Sequence, residues 1–169
     1  MASTIRILGI DAALRSSGLG IVEAAGSSLS VGQVVNVRNK PSLPRTGCLR
    51  ALHLAVTELL IEADPEAVAI EAAFYAKNAR TSALLGEARG AAISACAVRD
   101  VPVYEYAPRR VKKAVVGFGA ADKSQVRKMV MTLLNIQAEP QEDIGDALAL
   151  AICHLHNRSG HAELMPDPV

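Results

Sequence analysis

The hydrophobic period of this chain changes once, and that change limits its possible folds more than any other feature. Residues 5–11 (Ile-Arg-Ile-Leu-Gly-Ile-Asp), 18–24 (Gly-Leu-Gly-Ile-Val-Glu-Ala) and the valine-rich 29–38 read as three strands. The links between them hold Ser16, Ser17 and Gly18, then Gly26, Ser27 and Ser28. Both links are too short for a helix, so the strands are expected to pair as an antiparallel meander. Residues 39–47 form a loop with Pro41, Pro44 and Gly47, and beyond it the period becomes helical. Leu49, Leu52, Val56, Leu59, Leu60 and Ala63 share one helical face, and Asp64-Pro65 ends that helix. Residues 67–71 (Ala-Val-Ala-Ile-Glu) read as a short buried strand. After a loop at 72–80, Thr81 is placed to cap a long helix running to about Val98, and Pro102 to Tyr106 reads as a fifth strand. Pro108 opens a basic helix to Val116, Asp122 caps the next, and Pro140 precedes a last helix through about His156. Hairpin-linked strands followed by α/β crossovers imply a mixed five-stranded α/β sheet with helices on both faces. One domain over residues 1–157 and a flexible tail over 158–169 are expected.

Composition supports a chain that buries its own core. At 169 residues it has one domain's worth of length, and 50% hydrophobic against 21% charged residues excludes a disordered polymer. No apolar run approaches the ~20 residues that span a bilayer, so no membrane association is expected. Arg6 and Asp11 flank a short apolar stretch that is not a secretory signal. Cys48, Cys96 and Cys153 are odd in number and far apart, as small buried hydrophobes in a reducing, cytoplasmic compartment would be. The net charge of +1 conceals an asymmetry: residues 109–128 carry seven basic side chains against Asp122 alone, a local +6 that leaves −5 elsewhere. From charge alone, a polyanion contact and a solvated helix face stand equal.

Two strands end in an acid, Asp11 and Glu71, and Asp143 and Asp146 lie at i, i+3 at the start of the last helix. That spacing puts the second pair on one helical face, ~5–6 Å apart at Cβ. Each signal alone is weak, because strand-end acids are mostly turn residues and first-turn acids mostly favour the helix dipole. The helix that follows, Ala147-Leu148-Ala149-Leu150-Ala151-Ile152-Cys153, is apolar enough to demand deep burial, which holds its acids near the sheet. If the four converge, they repel by ~4 kcal/mol per close pair at an effective dielectric of ~20. Oxygen-only ligands suit a hard ion such as Mg²⁺ or Mn²⁺. Two such ions clamp both the attacking and the leaving oxygen of a phosphodiester.

An ordered set of motifs carries a family resemblance. Gly9-Ile10-Asp11, Ile70-Glu71, Phe74, Lys77-Asn78, Leu85-Gly86, Ala88-Arg89-Gly90, Glu105-Tyr106, Val111-Lys112, Gly117-x-Gly119-x-Ala121-x-Lys123-x-Gln125-Val126 and Asp143-x-x-Asp146-Ala147-Leu148-Ala149 follow one another in that order. Over about residues 5–156 the chain resembles the RuvC family of bacterial Holliday junction resolvases. The resemblance implies a ribonuclease-H-like fold and a homodimer that nicks two strands of like polarity across a four-way DNA junction. It implies Mg²⁺-dependent hydrolysis, with two ions per site and Mn²⁺ as a substitute, leaving 5′-phosphate and 3′-hydroxyl ends. Asp11, Glu71, Asp143 and Asp146 would be the metal-binding, catalytic acids. Phe74 would stack on a base, and Lys112 and Lys123 would contact DNA backbone near the scissile phosphate. The branch-migration proteins RuvA and RuvB would be its partners.

The chain departs from the family pattern at Ala12-Ala13, after Asp11, and at Ile144-Gly145, between the last two acids. A left-handed Ala13 would cost ~1–2 kcal/mol, and Gly145 would weaken its helix by ~1 kcal/mol. The altered turn motivates a second reading, a junction-binding protein that no longer cuts. An actin-like phosphotransferase and a nuclease for RNA–DNA hybrids are further alternatives. Among the remaining features, Tyr104 and Tyr106 are expected to share one strand face as packing residues. Gly86 and Gly90 suggest a helix face for a second subunit. His154 and His156, at i, i+2, face differently and are expected to be structural or surface residues.

Overall fold

The computed structural model describes residues 4–73, 78–160 and 165–169. Strands β1 (Ile5–Asp11), β2 (Ser16–Ala25), β3 (Ser28–Arg38), β4 (Ala67–Glu71) and β5 (Val103–Tyr106) form one sheet in the order β3-β2-β1-β4-β5. The first three pair antiparallel, and β1, β4 and β5 run parallel. This is the mixed five-stranded sheet expected from the period change, in the fold that the family resemblance implies. Gly26, at φ +61°, makes the tight turn between β2 and β3.

Strand alternation divides the core into two layers. Leu8 and Ile10 of β1, Leu19 and Ile21 of β2 and Val68 and Ile70 of β4 pack against helices α1 (Arg45–Ala63) and α2 (Ala79–Val98). Ile7, Val22, Ala67 and Ala69 point the other way, toward α3 (Pro108–Val116), α4 (Lys123–Leu133) and α5 (Glu142–Gly160). Helices therefore cover both faces. Asp122 caps α4 as expected, in a reciprocal box with Gln125. The cap of α2 is Asn78 and not Thr81: Asn78 Oδ1 accepts the Thr81 N–H at 2.8 Å. Thr81 thus stands where the side chain of the true cap closes the first turn.

Helix α5 is buried from Ala147 through Leu155. It lies on bare strand backbone, because Gly9, Gly18 and Gly20 face it across the paired β1 and β2. A Cβ at Gly9 would stand 1.8 Å from the Ala147 carbonyl oxygen, and one at Gly18 would stand 1.9 Å from that of Asp143. Gly145 differs, since its Cβ would meet only Pro140 Cγ at 3.7 Å.

The buried aromatic face of β5 is structural, as expected. Tyr106 is fully buried and its hydroxyl shares a hydrogen bond of 2.9 Å with His154 Nδ1. Burial pushes that imidazole down to about 4, so the ring is neutral at physiological pH. Tyr104 packs its ring 4.7 Å from the same imidazole, and His156 Nδ1 bonds the Ala114 carbonyl at 2.8 Å. All three cysteines are free and buried. The folded chain extends past the expected boundary at 157. Helix α5 continues to Gly160, and Val169 N–H donates to the Val103 carbonyl at 2.9 Å, on the outer strand of the sheet. Among the described residues no helix is long and apolar enough to cross a membrane.

Candidate active site

Strand register brings the first two acids together. Ile10 pairs with Ile70 in the parallel β1–β4 ladder, so Asp11 and Glu71 end adjacent strands at the same level. Adjacent strands lie ~4.8 Å apart. Both acids continue the face that carries Ile7, Gly9, Ala67 and Ala69, the face covered by α5. The glycine bed then lowers the start of α5 onto the same level, opposite the Asp11–Gly18 pair. As a result Asp11, Glu71, Asp143 and Asp146 line one cleft of about 380 Å³, together with Lys112 and Lys123. Six of the seven residues singled out from sequence are therefore in one place. The seventh, Phe74, lies outside the described residues.

The electrostatics show the crowding. The Asp11 carboxyl is pushed up to about 7, first by burial and then by Asp146, Asp143 and Glu71, with Lys123 opposing. Glu71 is also raised, by burial and then by Asp146, against Arg89 and Lys123. Burial raises Asp146 too, with Lys123 the main opposing charge. Lys123 Nζ stands 2.6 Å from Glu142 Oε1 and 3.6 Å from Asp146 Oδ2, so a side-chain cation already leans on the rim of the acids. Among the described residues no three acid, histidine or cysteine side chains form a ready-made ion cage. The donor set is nonetheless all carboxylate oxygen around residual negative charge, which fits hard divalent cations.

Several supporting residues were not anticipated. The Ser16 hydroxyl donates to Asp143 and fixes its orientation from the first residue of β2. Ser17 closes the turn after Asp11: its hydroxyl donates to the Ala13 carbonyl at 2.6 Å and accepts the Ala13 N–H at 3.0 Å. Among the described residues the only non-glycine residues at positive φ are Asp64, Asp100 and Asn135. Ala13 is therefore not left-handed, and the departure from the family pattern carries no backbone strain at that point.

Arg89 reaches from α2 to donate to the Glu71 carbonyl and to the Glu105 carboxylate, pinning the ends of β4 and β5. A lone charge on the half-buried face of an alanine-rich helix is the sequence signal that could have found it. Arg89→Ala leaves two acceptors without their donor and is expected to cost about 2 kcal/mol, read as a lower urea midpoint. Arg89→Lys should recover less than half, because a lysine cannot span two acceptors as a guanidinium fork does. An unchanged midpoint in Arg89→Ala would show that the clamp contributes nothing.

The family model described as "Crossover junction endodeoxyribonuclease RuvC" matches residues 7–154. A protein of that name from Idiomarina loihiensis is 47% identical over 156 residues, covering 89% of this chain and 87% of the relative. One from Alkalilimnicola ehrlichii is 46% identical over 159 residues, covering 94% and 96%. Among solved structures, T. thermophilus RuvC in complex with a Holliday junction substrate superposes with a TM-score of 0.90 at 30% identity, covering 98% of this chain and 99% of that one. A match this long assigns the chain to the RuvC family of crossover junction endodeoxyribonucleases.

Proposed function

We propose that this chain resolves four-way DNA junctions by hydrolysing one phosphodiester in each of two strands of like polarity. The observation that carries the reading is the shared cleft, in which acids from β1, β4 and α5 face lysines from α3 and α4. Asp11, Glu71, Asp143 and Asp146 would hold two Mg²⁺ ions, with Mn²⁺ as a substitute. When bound, such ions supply Lewis-acid stabilisation of the attacking and leaving oxygens. Lys112 and Lys123 neutralise the phosphate that enters beside the acids, and Ser16 keeps Asp143 aimed into the cleft. In the reaction a water oxygen bonds to phosphorus, the bond from phosphorus to the 3′-oxygen breaks, and that oxygen takes up a proton. The products are a 5′-phosphate and a 3′-hydroxyl.

A homodimer suits a substrate with two-fold symmetry. Helix α2 offers a face for it, since Ala83, Gly86, Gly90, Ser94 and Ala97 are all exposed. A Cβ at Gly86 or Gly90 would meet nothing within 4 Å. Phe74, beside Glu71 in the chain, would stack on a base near the junction point, a contact worth ~1–3 kcal/mol. RuvA and RuvB are the branch-migration partners that membership in the family suggests. The alternative of a binder without cleavage rested on strain after Asp11, and the turn is built without it.

The test is incubation with an end-labelled four-way junction and Mg²⁺. Paired nicks at symmetric positions are expected, with a linear duplex of the same sequence left intact. Tight binding with no nicks would favour the non-cutting reading, and preferred cleavage of an RNA–DNA hybrid would replace the substrate.

A further inference from the structure

The basic segment that stands out in the sequence is divided by the fold. Lys112 and Lys123 enter the acidic cleft, whereas Arg109, Arg110 and Lys113 turn away from it, into a separate cleft of about 660 Å³. His156 and Asn157 from the end of α5 form the opposite wall, and among the described residues no carboxylate lines this cleft. We propose that it is a second phosphate-backbone site, which grips the DNA arm several nucleotides from the scissile bond. This extends the reading of the chain as a junction nuclease and rests on it.

Three observations carry the assignment. The first is pairing. Arg6, Arg45, Arg127 and Arg158 each have a carboxylate within 4 Å. Arg109 and Lys113 are exposed and have no ion-pair partner among the described residues. They sit at i, i+4 on α3, on one side of a helix whose Val111 and Val115 are buried. Their cationic heads therefore present a pair of charges to a ligand outside the chain.

The second is rigidity. Arg110 donates to Asn157 Oδ1 from Nη2 at 2.7 Å and from Nε at 3.2 Å, and its guanidinium lies 5.4 Å over the Tyr106 ring. Asn157 in turn donates to the Cys153 carbonyl at 2.7 Å. The floor of the cleft is thus held by α5 before any ligand arrives, which lowers the cost of ordering it.

The third is spacing. Ten residues of α5 separate Asp146 from His156, or about 15 Å of helix at ~1.5 Å per residue. At ~3.4 Å of duplex axis per nucleotide, that displacement is about four to five nucleotides along one arm. One arm can therefore place its scissile phosphate among the acids and a later phosphate against Arg109 and Lys113.

The experiment measures affinity for a labelled four-way junction in EDTA against salt concentration, for the parent and for Arg109→Gln/Lys113→Gln. Each lost phosphate contact lowers the slope of log affinity against log salt by ~0.9, so a drop of about 1.8 is expected. Between 50 and 200 mM salt the parent should then lose about twelvefold more affinity than the double variant. Arg50→Gln/Arg99→Gln, two cations carried by the α1–α2 layer, should leave the slope close to that of the parent. A junction with neutral methylphosphonates about four to five nucleotides from the cleavage point should bind the parent more weakly and have little further effect on the double variant. An unchanged slope, an equal drop in the control pair, or equal methylphosphonate effects on parent and variant would each overturn the site. A parent chain that fails to bind the junction at all would overturn the proposed function itself, and that outcome is visible before any variant is made.

Discussion

Asp11→Asn is expected to cut junction nicking by at least about 100-fold while making the ion-free protein more stable at pH 8. The activity loss follows from removing an acid proposed to ligate the catalytic ions, since even outer-shell substitutions at metal sites cost about 10–100-fold. The stability gain follows from the crowding. In the folded chain the Asp11 carboxyl is raised from its ordinary 3.8 to about 7, chiefly by burial and then by Asp146, Asp143 and Glu71. Between those two values the folded state holds a proton that the unfolded chain has released. Stability therefore falls as pH rises from about 4 to about 7, and above 7 the ionised folded state bears the full cost. A shift of this size corresponds to about 4 kcal/mol. Asparagine carries no charge at any pH, so the variant loses that part of the slope. Glu71 and Asp146, also raised, leave a residual slope in the same direction. Melting curves in EDTA at pH 5 and pH 8 read the effect, and added Mg²⁺ should stabilise the parent more than the variant. A parent whose melting temperature is flat across that range, or a variant less stable than the parent at pH 8, would contradict acid crowding. From the sequence, Asp143→Asn would be expected to behave in the same way, but the Ser16 hydroxyl donates to that carboxylate, so substitution there also weakens a charge-assisted hydrogen bond.

What was legible in the sequence was local. A strand ending in an acid, a proline opening a basic helix, an aspartate capping α4 and two acids on one turn of α5 each need only a few consecutive residues, and all are found. The adjacency of Asp11 and Glu71 was not legible in that way, because it depends on β4 pairing with β1 across a whole intervening helix. The family motifs supplied that adjacency, and the register explains it. The reach of Arg89 to two strand ends and the division of residues 109–128 between two clefts were hidden for the same reason. Both depend on which helix face meets which strand end, and composition does not encode that. The cap of α2 was misplaced by three residues, because Asn78 and Thr81 are both good caps and only the backbone decides between them. Gly9, Gly18 and Gly20 lie in strands, where glycine often marks a close backbone approach, but the local sequence does not say which element approaches.

That approach makes Gly9→Ala one of the most disruptive single-methyl changes expected among the described residues. The added Cβ would sit 1.8 Å from the Ala147 carbonyl oxygen and 3.1 Å from the Ala151 nitrogen. Both are backbone atoms of a buried helix, so no side-chain rotation relieves the clash. Ordinary contact requires α5 to lift from the sheet, which opens packing along a helix that is buried from Ala147 to Leu155. Overpacking a core commonly costs 1–3 kcal/mol, and a rigid backbone clash should fall at or above the upper end, about 3 kcal/mol or more. The same lift carries Asp143 and Asp146 away from Asp11, so nicking should fall even where the chain remains folded. Gly145→Ala is the internal control on the same helix. Its Cβ meets only Pro140 Cγ at 3.7 Å, and exchanging a helical glycine for alanine should add about 0.5–1 kcal/mol. Urea unfolding of the two variants should therefore move in opposite directions. If Gly9→Ala unfolds at the parent midpoint and cuts the junction at the parent rate, the glycine bed does not set the height of the acids above the sheet.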